Sequence, residues 1–168
     1  MANIAIEAPD QPAVVRLIDE LDAYQKPLYP PQSHHGIDLG ELARPNVRFA
    51  VARDAAGTAI GCGAVVLGAG CGELKRMFVT PECRGRGIAR ELLAFLERSA
   101  AAAGCVELML ETGVHQAEAL ALYADAGYAT CGPFGGYTED AHSVFMKKEL
   151  GPPRPGDDQS SALAGLAR

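Results

Sequence analysis

The chain has 168 residues, 48% of them hydrophobic and 21% charged, a size and balance that suit one domain with a buried core. A net charge of -6 argues against nucleic-acid binding through a general basic field. No apolar run approaches a membrane span, and the cysteines, spaced without C-x-x-C pairs, argue against a disulfide framework and against a metal site.

Reduced thiols, and an N-terminus without the charge and apolar core of a signal peptide, lead to the expectation of a cytoplasmic protein. Asn3 to Glu7 alternates weakly, as a first strand does. Asp10 is placed to cap a helix with Pro12 in its first turn, along which Val14, Leu17, Ile18 and Leu21 recur at helical spacing. Residues 28–40 hold Pro30, Pro31, His34, His35 and Gly36 and read as loop, followed by a short helix near Leu39 to Ala43. Asn46 to Arg53 and Ala59 to Leu67 form a hairpin pattern around the turn Asp54-Ala55-Ala56-Gly57. Gly72 to Val79 is the central strand. Strict alternation would put Leu74, Arg76 and Phe78 on one face and Glu73, Lys75, Met77 and Val79 on the other. Both faces would then mix charge with apolar bulk, which a phase slip such as a β-bulge would reconcile.

Gly87 to Ala103 is a long amphipathic helix ended by Gly104, and Val106 to Glu111 is the next strand. A short helix from Gln116 is closed by Gly127. Tyr128 to Cys131 and Ser143 to Leu150 complete the strands, joined by a loop containing Phe134 and Tyr137. The elements make an α/β chain of the mixed, α+β kind. Residues 1–150 are expected to form a single domain, and the Pro-, Ser- and Ala-rich residues 151–168 a disordered tail.

The join between central strand and long helix carries the clearest chemistry. Gly85 and Gly87 permit the positive φ angles of an amide nest, and the first-turn N–H groups of the helix face outward with the positive end of its dipole. Arg84 and Arg86 add donors for phosphate oxygens. The loop is not a P-loop, since no Lys-Ser or Lys-Thr exists, and it is not a dinucleotide fingerprint, since Arg90 stands where the third glycine belongs. Lys75, Arg76, Arg84, Arg86 and Arg90 form a positive island in an acidic chain, which suits an anionic cofactor and leaves the acidic remainder for a cationic substrate.

Arg84, Gly87 and Ala89 fit R-x-x-G-x-A, which resembles the pyrophosphate-binding signature of the GNAT superfamily of N-acetyltransferases. The segment from Gln116 through Ala119, Leu122, Tyr123 and Gly127 to Tyr128 is similar to that superfamily's N-x-x-A-x-x-L-Y-x-x-x-G-F, with Gln116 for Asn and Tyr128 for Phe. The two motifs stand in the family's order, and the resemblance covers roughly residues 3–150. It implies a largely antiparallel mixed sheet, splayed between its two central parallel strands and flanked by helices. It also implies acetyl-CoA as cosubstrate, no metal, and direct transfer of an acetyl group to a primary amine of a small molecule or protein. No nucleic acid or membrane is expected as a partner, and a homodimer is allowed. A non-catalytic acyl-CoA-binding sensor or interaction module with the same fold is the alternative.

Site residues follow from the resemblance. The diphosphate of the cofactor is expected on the amides of Arg84, Gly85, Arg86, Gly87, Ile88 and Ala89, and its pantetheine arm on the exposed backbone of Met77, Phe78 and Val79. Gln116 takes the place of a cofactor-contacting Asn. Tyr123 is expected at the CoA sulfur as general acid. Glu73 lies eleven residues before Arg84, the spacing of the catalytic glutamate in histone-acetylating members, and is the leading base; Glu111, at the end of the next strand, is the second. His34 and His35 lie in the segment that lines the acceptor side.

Overall fold

A computed structural model describes residues 1–151; of the expected tail, everything from residue 152 onward lies outside the described residues. The strands are β1 (Asn3–Ile6), β2 (Val47–Arg53), β3 (Ala59–Leu67), β4 (Cys71–Val79), β5 (Glu107–Gly113), β6 (Ala129–Cys131) and β7 (Ser143–Glu149). The α-helices are α1 (Pro12–Gln25), α2 (Leu39–Leu42), α3 (Ile88–Ala102) and α4 (Ala117–Asp125). The expected elements are all present. One cap differs: Gln11, not Asp10, precedes α1, and its side chain bonds Glu7 and Arg53 instead of the helix. Pro12 alone sets the helix start, since its fixed φ suits the first turn and it has no N–H to satisfy.

The seven strands form one sheet in the order β1-β2-β3-β4-β5-β7-β6. Every pair is antiparallel except β4 with β5. On one face, Leu92, Leu93 and Leu96 of α3 pack with Val65, Leu74, Val79, Leu108 and Leu110. On the other, Val14, Leu17 and Leu21 of α1 and Leu42 of α2 pack with Phe49, Val51, Cys62 and Phe78. Each helix therefore buries its apolar stripe on one side of a sheet that is apolar on both.

Two departures from a regular sheet create the site. The parallel ladder of β4 and β5 runs from Cys71↔Glu107 to Leu74↔Leu110 and stops. From Lys75 to Val79, β4 is paired on its β3 side only, while β5 continues against β7. The strands splay, and one backbone edge of β4 is left open. The second departure is the slip anticipated from the alternation. Cys62 faces Phe78 and Ala64 faces Lys75, so Arg76 and Met77 together oppose Gly63. Arg76 takes up the bulge at φ 57, and among the described residues no other non-glycine has positive φ. The slip corrects the simple alternation: Met77 and Val79 join Leu74 on the α3 face, and Phe78 turns to α1. Gly63 accommodates the bulge, because a Cβ there would run into Met77 Sδ and Leu96 Cδ1.

Candidate active site

Beyond β4, Thr80 and a short 3-10 turn at Pro81–Cys83 lead into the glycine loop. Gly85 and Gly87 adopt φ 75 and 80, with open space where a Cβ would stand, so glycine is required there by backbone conformation and not by crowding. Gly87 caps α3, and Glu91 N–H is the first to bond back, to the Gly87 carbonyl. The N–H groups of Ile88, Ala89 and Arg90 are left without helical acceptors. Arg84 donates from Nε to the Val79 carbonyl at 3.1 Å and lies over the rings of Phe78 and Tyr24 at 5.8 and 5.6 Å. It pins the loop to the end of β4 and leaves its terminal nitrogens facing out. Arg86 is exposed.

A cleft of about 250 Å³ occupies the splay. Its floor is Leu74 to Met77 of β4 and Glu111 to Gly113 of β5; Tyr123 of α4, the end of α1, the 33–36 loop and His142 wall it. Arg76 holds this outer wall in place. Its Nη1 donates to Asp22 Oδ1 at 2.6 Å and its Nη2 to the Ile37 carbonyl at 2.8 Å, with the side chain 9% exposed. Gly36 makes room for the guanidinium. Tyr29 forms a second anchor. Its hydroxyl accepts from His115 N–H at 3.2 Å, and its ring stacks on His115 at 5.7 Å and meets His142 edge-on. A side chain on Gly113 would overlap that ring.

The two expected carboxylates have different surroundings. Glu111 is the first β5 residue past the last β4 rung, lines the cleft, and accepts from Ser143 Oγ at 2.7 Å. Burial pushes its carboxyl above the usual range, against the opposing pull of the Ser143 hydroxyl, His35 and Lys75. Glu73 lies one rung inside the paired segment, opposite Met109, and is absent from the cleft lining. Its Oε1 accepts from Tyr137 Oη at 2.6 Å and pairs with Lys75 Nζ at 3.0 Å. Lys75 also donates to the His35 carbonyl at 2.8 Å and touches the Tyr137 hydroxyl. Glu73 is thereby committed to a bridge between β4 and the 134–142 loop, where Phe134, Tyr137 and Phe145 form an aromatic cluster.

Tyr123 is 6% exposed, lines the cleft, and packs edge-on to Tyr128 at 5.8 Å. Burial raises its hydroxyl pKa further, so it stays protonated at neutral pH. No protein group among the described residues bonds that hydroxyl, which leaves its proton available to the cleft. Gln116 also lines the cleft, but its Oε1 accepts from Gly113 N–H at 2.9 Å and Thr112 Oγ1 at 3.3 Å. Its carbonyl oxygen serves the β5–α4 turn, and only its Nε2 faces outward. His34 and His35 line the cleft, with His34 Nε2 2.9 Å from the Tyr29 carbonyl. Sequence reasoning missed Tyr29, Asp22 and Ser143. A tyrosine between prolines was the available signal for the first; the other two depend on contacts across 54 and 32 residues.

Among the described residues no group of three or more His, Cys, Asp or Glu side chains is arranged to hold a metal, and no helix is long and apolar enough to cross a membrane.

Comparison with known proteins agrees with this fold. The sequence profile of the acetyltransferase (GNAT) family matches residues 14–128. An IAA acetyltransferase of Azospirillum brasilense is 53% identical over 150 residues, covering 88% of this chain and 97% of the relative. The crystal structure of an acyl-CoA N-acyltransferase from Klebsiella pneumoniae superposes with a TM-score of 0.77 at 40% identity, over 89% of this chain and 98% of that one. The PaiA N-acetyltransferase of Thermoplasma acidophilum, solved in complex with coenzyme A, shares the fold with a TM-score of 0.68 at 16% identity, over 89% and 99% of the two chains.

Proposed function

The chain belongs to the GNAT acetyltransferase family and is an acyltransferase of the N-acetyltransferase class, and from that premise we propose that it moves an acetyl group from acetyl-CoA directly to a primary amine of a small molecule or protein. One observation carries this reading: the cleft sits where the β4–β5 ladder opens, with a desolvated carboxylate and a phenol hydroxyl that no protein group bonds both on its lining. Acetyl as the acyl group is supported by the name of the 53% identical relative.

The residues present fit the cosubstrate. The nest of Arg84 to Ala89, with Gly85 and Gly87 at positive φ and the free first-turn amides of α3, suits a diphosphate. The open edge of β4 from Lys75 to Val79, including Met77 and Phe78, suits the amide groups of a pantetheine arm. Bound acetyl-CoA supplies an acetyl thioester already activated for transfer.

The chain's own residues manage protons. An alkylamine with a pKa of about 10 arrives largely as ammonium and is no nucleophile until it sheds a proton. Glu111 accepts that proton; its raised pKa makes it a better base than an ordinary surface carboxylate. Ser143 holds the carboxylate in orientation. Tyr123 delivers its hydroxyl proton to the leaving sulfur. Glu73 acts indirectly, by fastening Lys75 and Tyr137 at the edge of the acceptor side.

Acetyl-CoA mixed with a panel of small primary amines tests the proposal. Amine-dependent thiol release is expected, with no acetylated enzyme accumulating when acetyl-CoA is given alone. Stable acetyl-enzyme, or thiol release indifferent to every amine, contradicts direct transfer.

A further inference from the structure

Two loops meet beside the cleft, residues 33–36, which line it, and residues 134–142, whose His142 lines it. Among the described residues no backbone hydrogen bond joins them, so side chains alone hold them together. Ser33 Oγ donates to Asp140 Oδ2 at 2.7 Å, and the His35 ring meets Tyr137 edge-on at 5.2 Å. His35 Nε2 stops 3.6 Å from Asp140 Oδ2, buried and without a hydrogen bond. It is the one buried side-chain nitrogen or oxygen among the described residues left in that state. A buried polar nitrogen without a partner carries a desolvation cost that a small closing movement toward Asp140 removes.

Asp140 is tied in turn to the reacting end of the cleft. Its Oδ1 accepts from His142 N–H at 2.8 Å, and its carbonyl accepts from Ser143 N–H at 3.1 Å. Ser143 Oγ is the donor that holds Glu111. One short turn therefore carries the partner of His35 at one end and the hydroxyl that orients the carboxylate at the other.

We propose that His35 and Asp140 form a latch that positions Glu111. Closing it draws the Asp140–Ser143 turn onto the 33–36 loop, so that covering the acceptor side and orienting the carboxylate are one event. The proposal rests on Glu111 being the base of the proposed reaction. His35 and Asp140 are positioning residues here, since they act through Ser143.

The charges around Glu111 supply a readout that mere structural support would not move. Tyr29 and His35 act on it from the loop after α1, Lys75 from β4, and Tyr137 and Asp140 from the loop before β7, with His142 on the same cleft and Glu73 one contact further off, on Lys75 and Tyr137. His35 and Lys75 favour its ionised form and Asp140 opposes it. The two halves of the latch thus share one effect on the turn and have opposite effects on the carboxylate.

The test uses the full chain without ligand, as His35→Gln and Asp140→Asn. Hydrogen exchange at the Ser143 amide is expected to quicken roughly tenfold in both variants, the scale of one lost hydrogen bond. Titration of the Glu111 carboxyl, followed by carbon NMR, is expected to move to higher pH in His35→Gln and to lower pH in Asp140→Asn. Unchanged Ser143 exchange in both variants overturns the latch, as does a Glu111 titration that shifts the same way in both or in neither. A separate arm isolates the underlying reading: Glu111→Gln assayed with acetyl-CoA and the amine panel. Full activity there removes the base assignment, while the exchange data still report on the latch.

Discussion

In the proposed reaction Glu111 and Tyr123 carry the proton transfers, and each has a variant that separates chemistry from packing. Tyr123→Phe keeps the ring against Tyr128 and removes only the hydroxyl. Turnover is expected to fall by about two to four orders of magnitude with little change in acetyl-CoA affinity, as steady-state kinetics and calorimetry would show. Unchanged turnover at a pH where chemistry limits the rate returns Tyr123 to a packing role. Glu111 sets stability against chemistry. Its folded pKa is raised above the ordinary carboxylate value of 4.5, so its contribution to stability is fully present below that value and is lost as pH rises through the folded one. Above the folded value the fold then holds an ionised carboxylate in a partly dry place. Glu111→Gln is expected to raise the melting temperature at about pH 8, and the gain should shrink as pH falls toward about 4.5. The same variant should lose most of its turnover. A gain in stability that is the same at both pH values would show that the charge is not its cause.

At the scale of elements, the site depends on two glycines, one for its backbone angle and one for the room it leaves. In the β4–α3 loop, Gly87 sits at φ 80 with open space around it. Asp tolerates such a φ better than most residues, so Gly87→Asp chiefly adds a negative charge where a diphosphate is proposed. Acetyl-CoA affinity is expected to fall at least about tenfold, a difference of about 1.4 kcal/mol, with the fold intact by circular dichroism. Wild-type affinity would remove the loop from the binding site. In β3, Gly63 faces Arg76 and Met77 across the bulge. Gly63→Ala forces Met77 and Leu96 aside, an overpacking that typically costs about 1–3 kcal/mol and should appear as a lower urea midpoint. The bulge also aims Arg76 at Asp22 and Ile37, so β4 leaves its own edge open and anchors the outer wall of the cleft at the same place.

Across the whole molecule, what the sequence made legible was local and what it hid was not. The glycine loop, the Tyr123 helix and the slip in β4 each occupy a short window, where turn chemistry and alternation act directly. The position of β7 between β5 and β6 could not be read, because chain order does not state strand order. The preference for Glu73 over Glu111 as the base meets a related limit. Distance along the chain to Arg84 fixes a position on β4, but the opening is fixed by the rung at which β4 leaves β5, and that rung is Leu74↔Leu110. Glu73 therefore faces Tyr137 and Lys75, while Glu111 reaches the cleft. Tyr29, from a loop far from Gly113 and His115 in sequence, illustrates the same limit. The two carboxylates offer the sharpest trial of the proposed reaction. Mass-spectrometric quantitation of the N-acetylated amine, formed from acetyl-CoA by wild type, Glu73→Gln and Glu111→Gln side by side, is expected to give abundant product from wild type, a reduced but substantial amount from Glu73→Gln, and about a hundredth or less from Glu111→Gln. Full product from Glu111→Gln with none from Glu73→Gln would place the base one strand over, and no acetylated amine from wild type with any acceptor would contradict the transferase reading itself.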